Sequence, residues 1–96
     1  MGANNSNGLW IFRMDKRAAK AFAELDFETR DRILLFIEER ILPHQNPRLL
    51  GKPLTGKWKG YYSYRIGDYR VIADIQDHLL TVFAVEIAHR RVVYDL

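Results

Sequence analysis

Apolar positions recur along this chain at two spacings, and the change from one to the other divides it into elements. Leu9-Trp10-Ile11-Phe12-Arg13-Met14 is a short apolar run rich in aromatic and β-branched residues, which predicts a first strand. Asp15 stands where it can cap a helix, and Ala18, Phe22 and Leu25 then follow at helical spacing, predicting a short helix over Lys16–Leu25. Asp26 is a second capping residue, with Glu28 and Asp31 in the early turns where negative charge suits the helix dipole. The helix it opens runs over Phe27–Ile41. Its stripe is Ile33, Leu34, Ile37 and Ile41, widened by Leu35 and Phe36, and Pro43 ends it.

From His44 to Gly56 the periodicity vanishes. Pro47, Gly51 and Pro53 mark a long connection, and Leu49, Leu50 and Leu54 are the residues expected to tether it to the core. Tyr61–Arg70 reads as strand, Gly67-Asp68 turn and returning strand. Alternation puts Ser63 and Arg65 on one face, and Tyr62, Tyr64 and Ile66 on the other. Tyr69–Ile75 continues the hairpin and Gln76-Asp77-His78 turns the chain again. Leu79–Ile87, apolar on both faces, predicts a strand in the middle of a sheet. Glu86, the lone charge inside that run, is expected to pair with an arginine on a neighbouring strand. The order is β-α-α-β-β-β. It defines an α+β domain with a small antiparallel sheet whose last three strands form a meander; neither helix can bury its stripe without that sheet.

Composition narrows the chemistry. Ninety-six residues suffice for one domain with a single small core, assigned to residues 9–96 after a polar, flexible leader over 1–8. The leader lacks the basic flank and apolar core of a secretion signal, and no stretch reads as a transmembrane helix, so no membrane partner is expected. With no cysteine, disulfides and cysteine-based metal or redox sites are excluded, in keeping with a cytoplasmic location. Three widely separated histidines and the absence of a carboxylate pair at ligand spacing predict neither metal nor cofactor. The net charge of +3 is mild, but it is concentrated: Lys52, Lys57, Lys59, Arg65 and Arg70 face a single acid, Asp68, between Gly51 and Arg70.

Two arginines and several tyrosines on one hairpin suit an anionic partner that can stack, although a surface hairpin with solvated arginines has the same composition. The ending His89-Arg90-Arg91, with Tyr94 beyond it, adds further basic groups whose position relative to Arg65 and Arg70 depends on strand register. Should they converge, the arginines would hold a phosphodiester and stabilise the added charge of its pentavalent transition state. His89 or a tyrosine would transfer protons, and bases would stack on Tyr61, Tyr62 or Trp58. RNA supplies its own nucleophile in the 2′-hydroxyl. The competing description makes the tyrosines ordinary sheet residues, Trp58 a packed anchor and His89 a capping side chain.

Gly51-Lys52-Pro53-Leu54, Tyr64-Arg65-Ile66-Gly67-Asp68-Tyr69-Arg70-Val71-Ile72 and Ala88-His89-Arg90-Arg91-Val92-Val93-Tyr94, in this order after two helices, resemble the RelE/ParE superfamily of bacterial toxin–antitoxin toxins. The similarity runs from about Trp10 to Tyr94, with Ala88 where the family ending has glycine. It implies an antiparallel sheet carrying both helices on one face, and a toxin neutralised by a cognate antitoxin. For RelE-like members it implies a metal-independent endonuclease that cuts mRNA in the ribosomal A site, leaving a 2′,3′-cyclic phosphate. By matching positions, Arg70, Arg90 and Tyr94 would be site residues, with Arg65 and His89 at basic positions; Lys57, Lys59, Tyr61 and Ser63 would contact RNA. Members of the nuclease group carry lysines where Tyr61 and Ser63 stand here. The ParE-like alternative inhibits DNA gyrase without nuclease chemistry, and an attenuated antitoxin-binding relative is a third.

Overall fold

The computed structural model describes residues Trp10–Arg91. Five strands form one sheet in the order β1-β5-β4-β3-β2: β1 Ile11–Met14, β2 Lys52–Pro53, β3 Tyr62–Ile66, β4 Tyr69–Gln76 and β5 Thr81–His89. Strands β2 to β5 pair antiparallel with one another, and the last three make the expected meander. Strand β1 enters parallel to β5, with Ile11 beside Thr81 and Met14 beside Ala84, so the sheet is mixed. The central place of β5 agrees with its apolar character on both faces.

Both helices start where the sequence places them, because each aspartate satisfies a backbone donor that the first turn leaves open. The Ala18 N–H donates to Asp15 at 2.8 Å, opening α1 (Lys16–Ala23). The Thr29 N–H donates to Asp26 at 2.8 Å, opening α2 (Phe27–Phe36). Hydrogen bonding by the Thr29 side chain, and then by this backbone N–H, holds the Asp26 carboxyl below its ordinary value. A single π-helical turn, Ile37–Ile41, extends α2, with Leu42 N–H donating to Ile37 O at 2.9 Å. Ile33, Ile37 and Ile41 are buried against the sheet residues Tyr64, Ile66, Val71, Ala73, Val82, Ala84 and Ile87, and Ala18 of α1 joins the same core. Leu35 does not widen the stripe: two residues on from Ile33, it points to the opposite side of the helix and is 44% exposed.

Between helix and hairpin lies more structure than the missing periodicity suggested. A 3₁₀ turn, Pro47–Leu50, leads into β2, and a second, Gly56–Trp58, follows it. Leu49 is not a tether, being 71% exposed. The anchor is Pro47, fully buried, whose carbonyl accepts a 2.7 Å hydrogen bond from the Tyr64 hydroxyl. Burial pushes the Tyr64 phenol up to about 12, so it remains a donor at any working pH. Gly51 lies flat on the same ring. A Cβ there would stand 3.0 Å from Tyr64 Cε1, closer than a packed ring in a filled core can yield. Arg48 completes the strap from outside. Its guanidinium donates to both Asp77 carboxylate oxygens, at 3.0 and 2.6 Å, and lies 6.0 Å from the centre of the Tyr62 ring.

Two local devices set the faces of the sheet. Gly67 takes φ +59° in the two-residue turn joining β3 to β4, a conformation that costs glycine little. In β5 a bulge inserts Val85: Ala73 pairs with Ala84, but Ile72 pairs with Glu86. Strict alternation would send Glu86 into the core beside Val82 and Ala84. The bulge keeps it out of the core, and Arg17 of α1, rather than an arginine on a strand, meets it at 2.9 Å. The shift also sets Ala88, and not Ile87, opposite Arg70.

Tyr64→Phe leaves the buried Pro47 carbonyl without its donor. It should destabilise the domain by about 1–3 kcal/mol, a fall of roughly 4–8 °C in Tm per kcal/mol, read by thermal denaturation. The Asp77 carboxyl is held below its ordinary value of 3.8, chiefly by its hydrogen bonds to Arg48. Its contribution is therefore complete above that value and is lost as pH falls through the lower folded one. Thermal melts of wild type and Asp77→Asn should differ at neutral pH, with wild type the more stable, and the difference should shrink below pH 3.8.

Candidate functional site

On the face of the sheet away from the helices, alternation and register bring a small set of polar side chains together. Arg65 on β3 and Arg70 on β4 are direct cross-strand partners, and Lys52 on β2 is the partner of Ser63. Together with Pro53, Leu54 and Thr55 these four line a cleft of about 340 Å³. Strands β3 and β4 supply one side of it and β2 with the two residues that follow supplies the other, and no carboxylate lines it. Ala88 of β5 is the register partner of Arg70 on its other side. Two arginines directly opposite one another repel, a disposition that sheets ordinarily avoid. An anion lying between them relieves that repulsion, and a guanidinium pair can hold phosphate oxygens in a fixed geometry.

Other residues singled out by the sequence lie around this cleft and not in its lining. Tyr61 and Trp58 meet edge to face with ring centres 5.4 Å apart, and the Tyr61 N–H donates to Trp58 O at 2.9 Å. Lys57 and Lys59 are exposed on the turn beside them. His89 pairs in register with Tyr69 and therefore shares the helix-side face; the two rings are 5.2 Å apart. Its Nδ1 accepts from the Arg91 N–H at 3.1 Å, as a capping side chain would. Alternation thus separates His89 from Arg65 and Arg70. Arg90 is brought to the hairpin by its own backbone, its N–H donating to Asp68 O at 2.7 Å. A second depression of about 250 Å³ there is lined by Asp68, His89, Arg90 and Arg91. Tyr94 lies outside the described residues.

Lys52 is the lining residue that the sequence offers only as part of the local charge and of the Gly51–Leu54 stretch, with no role at the site. Two residues carry no periodicity, so β2 could not be read as a strand. The available signal was Pro53, which biases the residue before it to extended backbone and is at home on an edge strand. Among the described residues no group of three His, Asp or Glu side chains has the arrangement of a metal site, and no helix is long and apolar enough to cross a membrane.

Comparison with known proteins gives the fold and the site a context. A family model described as the ParE toxin of the type II toxin–antitoxin system parDE matches residues 12–94. A curated relative, Toxin RelE of Mycobacterium tuberculosis, is 45% identical over 51 residues, a match spanning 53% of each chain, so only about half the relative's length is covered. Among solved structures, the RelBE2 toxin–antitoxin complex of Mycobacterium tuberculosis is similar with a TM-score of 0.75 at 26% identity, covering 84% of this chain and 91% of that one. The isolated E. coli RelE toxin shares the fold, with a TM-score of 0.67 at 21% identity over 83% of each chain.

An anion seated between Arg65 and Arg70 should stabilise the domain by binding the folded state alone. Inorganic phosphate should raise Tm relative to chloride at matched ionic strength, and the increment should disappear in Arg65→Gln. Differential scanning calorimetry provides the measurement.

Proposed function

Because the chain belongs to the ParE toxin family of type II toxin–antitoxin systems, we propose that it acts as the toxin of such a module by cutting mRNA on the ribosome, without a metal. The observation that supports this reading is the opposition of Arg65 and Arg70 in a cleft that holds a third cation, Lys52, and no carboxylate. Phosphodiester cleavage by an internal 2′-hydroxyl requires that group to lose a proton and attack phosphorus in line with the departing 5′-oxygen. Charge accumulates on the non-bridging oxygens as it does so. Arg65 and Arg70 are suited to that charge, and Arg90, tethered to the hairpin turn through Asp68, adds a third guanidinium at its end. Proton transfer is assigned to Tyr94. His89, packed on Tyr69, is better suited to shaping the His89–Arg91 turn than to meeting substrate. Lys57, Lys59 and Tyr61 would engage flanking nucleotides, Tyr61 by stacking. The products are a 2′,3′-cyclic phosphate and a 5′-hydroxyl.

The partner expected to restrain this activity is a cognate antitoxin, in keeping with the toxin–antitoxin complexes among its structural neighbours. Gyrase inhibition is a second reading. The parDE description of the matching family favours it, as does the lack of lysine at Tyr61 and Ser63. Inducible expression followed by primer extension on translated messages, run beside a gyrase supercoiling assay, separates the two. Ribosome-dependent cuts within codons support the nuclease; blocked supercoiling with intact message replaces it with the gyrase inhibitor. Arg70→Ala should lower cleavage about 10²–10³-fold and relieve growth arrest while circular dichroism and Tm remain those of a folded domain.

A further inference from the structure

Lys52 has a mounting that an ordinary solvated lysine does not need. The strand that carries it is two residues long, yet it is fixed on every side. Pro53 is in register with Tyr62, and the Leu54 N–H donates to Tyr61 O at 3.0 Å. On the other side Gly51 lies against the Tyr64 ring, and Tyr64 in turn holds Pro47. Arg48, one turn earlier, is clamped to Asp77. The backbone at Lys52 is therefore held relative to β3, while its side chain is exposed over the cleft. Register puts it opposite Ser63, whose short side chain obstructs nothing between Lys52 and the arginines. Arg65, two residues along β3, is a diagonal neighbour at about 7–8 Å between Cα atoms, and Arg70 is one strand farther, at about 12 Å.

We propose that Lys52 is a phosphate-binding residue of the cleft, engaging the backbone phosphate next to the one held by Arg65 and Arg70. It supplies from β2 the cation that β3 lacks at Ser63. The inference rests on the nuclease reading above and adds a residue that the similarity to known toxins does not assign. The ligand is the phosphodiester backbone of single-stranded RNA. A compact ammonium on a flexible stem serves as a point charge for a neighbouring phosphate, and the paired guanidiniums provide the fixed geometry at the reacting one. The strap keeps the three cations together against their mutual repulsion when the cleft is empty.

The test uses the whole chain, a short 2′-O-methyl RNA oligonucleotide that cannot be cleaved, and cleavage of message on programmed ribosomes. Lys52→Gln should weaken oligonucleotide binding about tenfold and make the salt dependence shallower by about 0.7, the increment for one phosphate contact on a single strand. It should lower kcat/KM for cleavage in proportion. The double variant Lys52→Ser with Ser63→Lys moves the cation across one strand on the same face and should restore both binding and salt slope. Lys20→Gln, on the exposed side of α1, should change neither. If Lys52→Gln is folded and leaves binding, slope and cleavage unchanged while Arg70→Ala loses them, the role of Lys52 is refuted and the nuclease reading stands. Weaker binding at an unchanged slope, with no rescue by the double variant, makes Lys52 a packing residue and also refutes it. If the wild type neither binds the oligonucleotide nor cuts message, both readings fall.

Discussion

The hydrogen bond from the Tyr64 hydroxyl to the Pro47 carbonyl is the constraint on which the open face depends. Tyr64 belongs to the core: it pairs with Val71, is fully buried and packs among the isoleucines of α2. Its hydroxyl passes out of that core to capture a loop, and its ring is the surface on which Gly51 lies. Everything that walls the cleft, from Lys52 to Thr55, follows within four residues of that contact. A buried polar group is costly unless paired, so this bond fixes the loop more firmly than apolar contact would. One side chain thus links the interior packing to the functional surface.

The parts of this architecture that were legible in the sequence are those set by local rules. Asp15 and Asp26 cap their helices through hydrogen bonds to donors three residues away. The faces of β3 and the Gly67 turn follow from alternation and from the one residue that takes positive φ cheaply. What was not legible depends on pieces that meet at long range. Strand β2 is too short to have a pattern, and it exists because Tyr64 captures the preceding loop. The Val85 bulge leaves no mark in an apolar run, yet it decides that Glu86 meets Arg17 and that Ala88 lies beside Arg70. His89 was gathered with the arginines by charge and neighbourhood, and register assigns it to the helix-side face with Tyr69. Leu49 has the hydrophobicity of a tether but not its position, which Pro47 occupies.

The cleft gathers like charge on one face of the domain. Arg65 and Arg70 oppose each other, and Lys52 adds to the same field with no acid in the lining. Local charge of this kind is tolerated because the opposite face is fully committed to the core, where Val71, Ala73, Val82, Ala84 and Ile87 are covered by α1 and α2. The two faces divide the work: Tyr64, Ile66, Val71 and Ala73 belong to the core, and Ser63, Arg65 and Arg70 line the cleft, with Ile72 buried on the cleft side. A one-residue slip in β4 would exchange the two sets, which is why the tight two-residue turn at Gly67 matters beyond its own geometry.

The parallel pairing of β1 with β5 has a consequence for how the molecule comes into being. Residues 11–14 find their hydrogen-bonding partners at 81–84, nearly the whole length of the domain away. During synthesis, β1 and both helices emerge first and must wait for β5 before the sheet edge can close. Contacts of such high sequence separation are formed late and slowly, because a long loop must be closed before they return any energy. The sheet is therefore completed only once β5 has been made, so the first strand of the domain is held open until its last described strand arrives.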